Sequence, residues 1–364
     1  MKVLYGVQGT GNGHITRARG MVKHLAEFGL DTDFIFTGRP LDKFNDMEPF
    51  GQWQRREGMT FEVKQGKVKT FDTALNLKPR QFWHDINELD LSPYDLVLTD
   101  FEPVTAWAAK RQKKPCFGLG HQYAFDYAIP KTGDNPFTRM VMRQFAPTTY
   151  NIGMHWYHFG QPILPPIVDV ADDVITIDEK VIVVYLPFES VDDVLRLLRP
   201  LSGYQFLFYG HFTEQTIENH ITMNPISREG FQKDLLRCNG VISNAGFELA
   251  SEAIALGKKI LAKPLHGQME QLSNALALEQ LGLGQPIKQL DVEATRRWLS
   301  EFEAKQVEYP NVAKALCEWI SQGELENIQP LIENLWAQTK AHGVDTFNEY
   351  PATTLRSRVS AGGF

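Results

Sequence analysis

Two periods of apolar and polar positions run along the chain. Short runs rich in apolar and β-branched residues at 3–7, 32–37, 96–99 and 115–119 predict strands. Stretches 15–28 and 104–111 place apolar residues at helical spacing. The pattern then restarts, with strands predicted at 181–186, 204–209, 240–243 and 259–262 and helices at 191–198, 231–237 and 248–256. Strands alternating with helices imply parallel sheets joined by right-handed crossovers. The expected fold is therefore α/β, with two Rossmann-like domains in tandem. Between them, Gly160, Pro162, Pro165 and Pro166 predict a stiff linker within 158–166. The expected domains are 1–160 and 161–335. A last segment, 336–364, is expected to pack back on the first domain, with a frayed tail at 356–364. Residues 51–84 have weak periodicity and read as an elaborated loop region, whose Trp53, Arg55, Arg56, Phe71 and Trp83 suit either an acceptor or local packing.

Composition narrows the function. At 364 residues, two domains are the natural expectation, and 43% hydrophobic residues mark a globular chain. A net charge of -7 argues against non-specific nucleic-acid binding, which needs a basic field. Cys116, Cys238 and Cys317 are widely spaced and read as reduced thiols, without a disulfide framework or a zinc knuckle. The first strand lacks the apolar stretch of a secretory signal, and no window reaches the ~18 apolar residues of a membrane span. A cytoplasmic protein is expected, with peripheral contact at the inner membrane face left open.

Two glycine-containing turns carry the candidate chemistry. Gly9-Thr10-Gly11-Asn12-Gly13-His14 joins the first strand to the first helix, where free N–H groups favour anions. The third glycine of a dinucleotide fingerprint is replaced by His14, and the second strand ends Phe36-Thr37-Gly38-Arg39 with no acid for a ribose. Arg39 keeps an NADP site as a demoted rival. His14 at a helix start is disfavoured as imidazolium, which suits a general base or equally a loop cap. In the second half, Ser243-Asn244-Ala245-Gly246-Phe247 is again a small-residue turn between strand and helix. Glu248 and Glu252 are i,i+4 on the helix that follows, so they share a face. Asp31-Thr32-Asp33, the one D-x-D, falls where a strand begins and reads as a turn, not a metal site.

These motifs resemble the GT-B fold glycosyltransferases, in particular MurG-like enzymes and the archaeal and bacterial glycosyltransferases related to them. The resemblance rests on Ser243-Asn244-Ala245-Gly246, Glu252, Leu256-Gly257-Lys258, Pro264, Glu270-Gln271 and Asn274-Ala275. The loop Gly9–His14 and the run Thr99-Asp100-Phe101-Glu102-Pro103 add to it. It implies two domains facing each other across a cleft that holds a nucleotide-sugar donor, with UDP-sugar expected. By the same resemblance Glu252 binds the donor ribose, Glu270 and Gln271 hold sugar hydroxyls, and N–H groups of Ala245, Gly246 and Phe247 hold the diphosphate. His14, oriented by Asp100, faces the acceptor, which is a glycan, a lipid-linked or a small-molecule hydroxyl. An inverting, metal-independent transfer without cofactor is expected. Glu248, and the loop Leu186-Pro187-Phe188-Glu189-Ser190 without glycines, depart from the MurG pattern. Glu102 and His121 are secondary candidates. The rivals are a UDP-sugar epimerase of the same architecture, an NADP-dependent oxidoreductase and a non-catalytic binding protein.

Overall fold

The structure, a computed structural model, describes residues 1–59, 63–64, 67–68, 79–133, 136–170, 176–323, 325–344 and 347. Its first half is built on a six-stranded parallel sheet: β1 (Lys2–Gln8), β2 (Asp31–Thr37), β3 (Trp53–Arg55), β4 (Leu96–Asp100), β5 (Cys116–Gly120) and β6 (Tyr150–Gly153). The order is β3-β2-β1-β4-β5-β6, the doubly wound arrangement that binds ligands where the order reverses, between β1 and β4. Helices α1 (Asn12–Leu25), α2 (Pro79–Glu88), α3 (Pro103–Gln112), α4 (His121–Ala124) and α5 (Pro136–Phe145) accompany it. The strand period decides the layers. Val3, Tyr5 and Val7 join the cluster containing Ile15 and Met21 of α1, while Leu4 and Val97 join Val104 of α3 and Ile86 of α2.

The second half carries a seven-stranded sheet: β7 (Asp178–Tyr185), β8 (Gln205–Gly210), β9 (Thr216–Glu218), β10 (Ile221–Pro225), β11 (Cys238–Ser243), β12 (Lys259–Ala262) and β13 (Gln285–Pro286). Its order is β9-β10-β8-β7-β11-β12-β13, and only the β9–β10 pair is antiparallel. Its helices are α6 (Val191–Leu198), α7 (Arg228–Arg237), α8 (Phe247–Ala255), α9 (Met269–Gln280) and α10 (Val292–Glu301). Ile182 and Val184 pack with Leu198 and Trp298 on one face, while Val181 and Val183 belong to the large cluster that also contains β1 and α1.

That shared cluster joins the halves. Along α1, Gly13, Arg17, Gly20, Met21 and His24 all meet the later part of the chain. A Cβ on Gly20 would lie 2.9 Å from Ile167, and the Cys317 thiol sits 3.8 Å from the Met21 carbonyl. Helix α11 (Val312–Gln322) lies against α1 and sets Trp319 on Phe117, ring centroids 5.8 Å apart. Helix α12 (Gln329–Gln338) ties Trp336 Nε1 to the Ile163 carbonyl at 2.6 Å. The chain thus already returns to the first half with α11.

Three expectations need correction. Helix α1 starts at Asn12 with Gly11 as its cap and ends at Leu25, earlier at both ends than 15–28. Asp31, Thr32 and Asp33 are the first residues of β2 and not a turn; they remain at the amino end of the strand, away from the loops that form the site. The proline-rich segment is a packed element, because Ile163 and Leu164 between the prolines are fully buried and Leu164 bridges to Met154. Trp53 packs between Phe36 and Phe44, and Arg55 donates to the Arg39 carbonyl, which makes both local packing residues. Trp83 is 46% exposed. Phe71 and the tail 356–364 lie outside the described residues. No described helix is long and apolar enough to cross a membrane.

Candidate active site

Parallel pairing of Val7 with Asp100 brings the carboxyl end of β4 beside the loop leading into α1. His14, in the first turn of α1, then reaches Asp100: Nδ1 lies 2.6 Å from Oδ1. Asp100 is fully buried, and although burial favours its neutral form, Arg17 and then His14 hold its carboxyl below the usual carboxylate range. An ionised Asp100 accepts the proton of Nδ1 and leaves the lone pair on Nε2, which no described residue engages. That tautomer makes Nε2 a base aimed away from the carboxylate.

Arg17, one turn further along α1, was not read from the sequence. Its Nε donates to Asp100 Oδ2 and its Nη2 to Oδ1, each at 2.6 Å. Its Nη1 donates to Glu248 Oε1 in the second half. Burial would discharge the guanidinium, but Asp100 and Glu248 outweigh it and hold the pKa above its ordinary value. The available signal was its i,i+3 relation to His14, which puts both side chains over one face of α1.

In the second half, Gly246 caps α8 without a side-chain hydrogen bond, so the first turn of that helix keeps N–H groups for an anion. The N–H of Gly246 itself closes on the Asn244 carbonyl at 2.7 Å. Ala245 accepts from Asn274 Nδ2 at 3.0 Å, and Phe247 stacks on His121 with centroids 3.9 Å apart and planes 5° from parallel. The two carboxylates of α8 are both buried. Burial pushes Glu248 up to about 7; Arg17 opposes this, while Asp100 and Glu270 add to it. Burial, then the charges of Glu248 and Asp169, raise Glu252 to about 8 against the pull of Arg228. The Glu252 carboxylate has no hydrogen-bond partner among the described residues, while its carbonyl accepts from the Leu256 N–H at 3.0 Å. On α9, Glu270 accepts from Gln122 Nε2 at 3.1 Å, and Gln271 Oε1 accepts from the Leu265 N–H at 3.0 Å, which shapes the loop before the helix.

The first loop's glycines have separate duties. A Cβ on Gly9 would lie 2.5 Å from the Thr37 carbonyl and one on Gly13 2.8 Å from Glu248 Cγ, while Gly11 faces open space. Arg39 donates to the Gly9 carbonyl and to Asn12 Oδ1 and covers Phe44, so it braces the loop and is committed away from any 2′-phosphate. Glu102 caps α3 by accepting from the Val104 and Thr105 N–H groups at 2.7 Å each. His121 is fully buried between the Met154 carbonyl and Asn274 Oδ1, and burial lowers its pKa. A cavity of about 390 Å³ lies among Glu189, Asp193, Arg196, Lys263 and Lys288, and none of the predicted site residues lines it.

The chain brings a histidine–aspartate pair and a helix N-terminus with two buried carboxylates to one junction between two doubly wound sheets. The same architecture occurs in solved structures. Arabidopsis thaliana UGT89C1 complexed with UDP aligns with a TM-score of 0.56 at 12% identity, covering 98% of this chain and 100% of that one. The glycosyltransferase VinC in complex with dTDP gives 0.52 at 11% identity over 92% and 98%. SnogD, a glycosyltransferase from Streptomyces nogalater, gives 0.51 at 13% identity over 89% and 96%. No curated protein matches by sequence. The sequence profile of glycosyl transferase family 1 matches residues 1–303, and the chain, a glycosyltransferase of the two-domain GT-B fold, therefore belongs to that family.

Proposed function

We propose that the enzyme moves a sugar from a nucleotide diphosphate donor, with UDP as the nucleotide, to an acceptor hydroxyl with inversion and without a metal ion. The observation that carries this reading is the 2.6 Å contact between His14 and Asp100, which leaves Nε2 as a base at the junction of the halves. Nε2 takes the acceptor proton as the acceptor oxygen bonds the anomeric carbon. The bond from that carbon to the phosphate oxygen breaks, and the nucleoside diphosphate leaves with the electron pair. The uncapped first turn of α8 supplies fixed dipoles for the charge that develops on the leaving group. Glu252 accepts the ribose hydroxyls, and Glu270 and Gln271 meet those of the sugar. UDP and dTDP in solved structures of this fold favour a pyrimidine nucleotide donor.

A thermal-shift series with UDP, dTDP, UDP-glucose, UDP-N-acetylglucosamine and NADPH tests the donor class, since a ligand bound only by the native state raises Tm by mass action. The reading expects UDP and its sugars to raise Tm and NADPH to leave it unchanged. A shift with NADPH alone overturns it. Turnover of UDP-N-acetylglucosamine to another UDP-sugar without acceptor, followed by NMR, would instead establish the epimerase.

A further inference from the structure

We propose that Arg17 is a positioning residue that ties the orientation of the His14–Asp100 pair to closure of the second half onto the first. The proposal rests on reading His14 as the base. One edge of the guanidinium, Nε and Nη2, holds both oxygens of Asp100 at 2.6 Å each, and Nη1 on the other side donates to Glu248. The group is planar and rigid, so a movement of the edge facing one partner moves the edge facing the other. Asp100 Oδ1 is shared between Nη2 of Arg17 and Nδ1 of His14, and the two nitrogens come within 3.2 Å of each other. A rotation of the fork that follows Glu248 must therefore move Nη2 relative to the oxygen that orients the base.

The walls around the fork leave it little alternative. Gly120, with φ at +152°, lies where a Cβ would sit 3.0 Å from Nη2 and 3.2 Å from Asp100 Oδ1. Gly13 opens the space for Glu248 from the α1 side. With the halves together Arg17 is 2% exposed and Asp100 is fully buried, so the fork meets only protein groups in the closed arrangement. Tyr5 of β1, His121 and Tyr123 of α4, Glu252 of α8 and Glu270 of α9 are ionisable groups that also interact with this cluster. Opening of the cleft removes Glu248 and leaves Nη1 without its acceptor. The arrangement that satisfies all the groups is the closed one, so the base is held in register when the donor-carrying half is in place.

The test is a double-mutant cycle read on the imidazole of His14 in the ligand-free full-length protein. The protein is labelled with ¹⁵N-histidine, and the signal is assigned with His14→Gln. Glu248 makes no hydrogen bond to His14, so Glu248→Ala reaches the imidazole through Arg17 or through direct charge. In the Arg17 background Glu248→Ala should move the titration midpoint by about half a pH unit or more and reduce the Nδ1–H tautomer. In the Arg17→Lys background the same change should have less than half that effect. Equal shifts in both backgrounds, or none in either, overturn the proposal. Should Arg17→Lys not fold, Glu248→Gln keeps an acceptor for Nη1 without the charge and should move the imidazole less than half as far as Glu248→Ala; an equal shift overturns the proposal. No turnover enters this readout, so a failure of the base assignment, seen as transfer surviving in His14→Ala, is distinguished from a failure of the coupling.

Discussion

His14 Nδ1 and Asp100 Oδ1 lie 2.6 Å apart although 86 positions separate them in the chain. The pair is made by topology: the loop after β1 and the end of β4 are neighbours because their strands are neighbours. His14→Ala should abolish transfer and leave UDP affinity within about threefold, since in the proposed mechanism the imidazole acts only on the acceptor proton. Asp100→Asn should lower kcat by about a hundredfold or more by removing the carboxylate that fixes the tautomer. Steady-state kinetics beside calorimetric UDP titration checks both, with circular dichroism confirming the fold. Full activity in His14→Ala contradicts the assignment.

If Glu252 accepts the ribose hydroxyls as proposed, nucleotide binding depends on pH. Its carboxyl is raised to about 8, so the free protein carries it protonated at neutral pH. Ribose hydroxyls donating to the carboxylate favour its ionised form, so UDP binding between pH 6 and 8 should release a proton. Affinity should then rise with pH, approaching about tenfold per unit below pH 8 and flattening above it. Calorimetry in buffers of different ionisation enthalpy measures the proton directly. In Glu252→Gln both the proton release and the slope should vanish, and binding should weaken.

The same shift has a consequence for stability. A carboxyl whose pKa is raised on folding contributes fully below the ordinary value near ~4.3 and loses that contribution as pH rises through about 8. Glu252 should therefore make the ligand-free protein less stable from pH 5 to pH 8, by at most about 1.4 kcal/mol per pH unit. Glu252→Gln should flatten this part of the Tm profile.

Glu102 should separate stability from catalysis. Its carboxylate accepts from two backbone N–H groups at the start of α3 and from the Thr105 hydroxyl at 2.6 Å. Glu102→Ala leaves those buried donors unpaired and should cost about 2 kcal/mol, seen as a Tm lowered by several degrees. Measured well below that Tm, kcat should stay within about twofold of the parent. A large fall in kcat with unchanged Tm would give Glu102 a chemical role that its geometry does not support.

Gly120→Ala should damage both properties. The backbone sits at φ +152°, and the added Cβ would press on Arg17 Nη2 and Asp100 Oδ1. A cost of about 1–3 kcal/mol in stability is expected for the strained backbone. The drop in kcat should exceed that in Arg39→Lys, because Arg39 braces the loop from outside the cluster. Denaturant unfolding and kinetics on the two variants check the comparison.

Much of the fold was legible because fully buried parallel strands leave short β-branched runs, as at Val181–Val184 and Val241–Ile242. Helix ends were less legible: α1 opens on Asn12 and Gly13, which carry no apolar period although they are helical. The Gly246 turn and the i,i+4 carboxylates of α8 were readable as local features. The pairing of His14 with Asp100 came only with the family resemblance, since nothing local links them. Arg17 with Glu248 spans 231 positions and two sheets, a contact no local pattern encodes. The 158–166 segment misled because proline and glycine signal a linker, while the apolar residues between them bury it.

A crystal structure of the enzyme with UDP decides whether Glu252 and the first turn of α8 hold the donor. Both ribose hydroxyls should lie within hydrogen-bond distance of the Glu252 carboxylate, the diphosphate against the first turn of α8, and His14 Nε2 should face the terminal phosphate across the cleft. UDP seated in the cavity between Glu189 and Lys288, with Glu252 still buried and untouched, would contradict it.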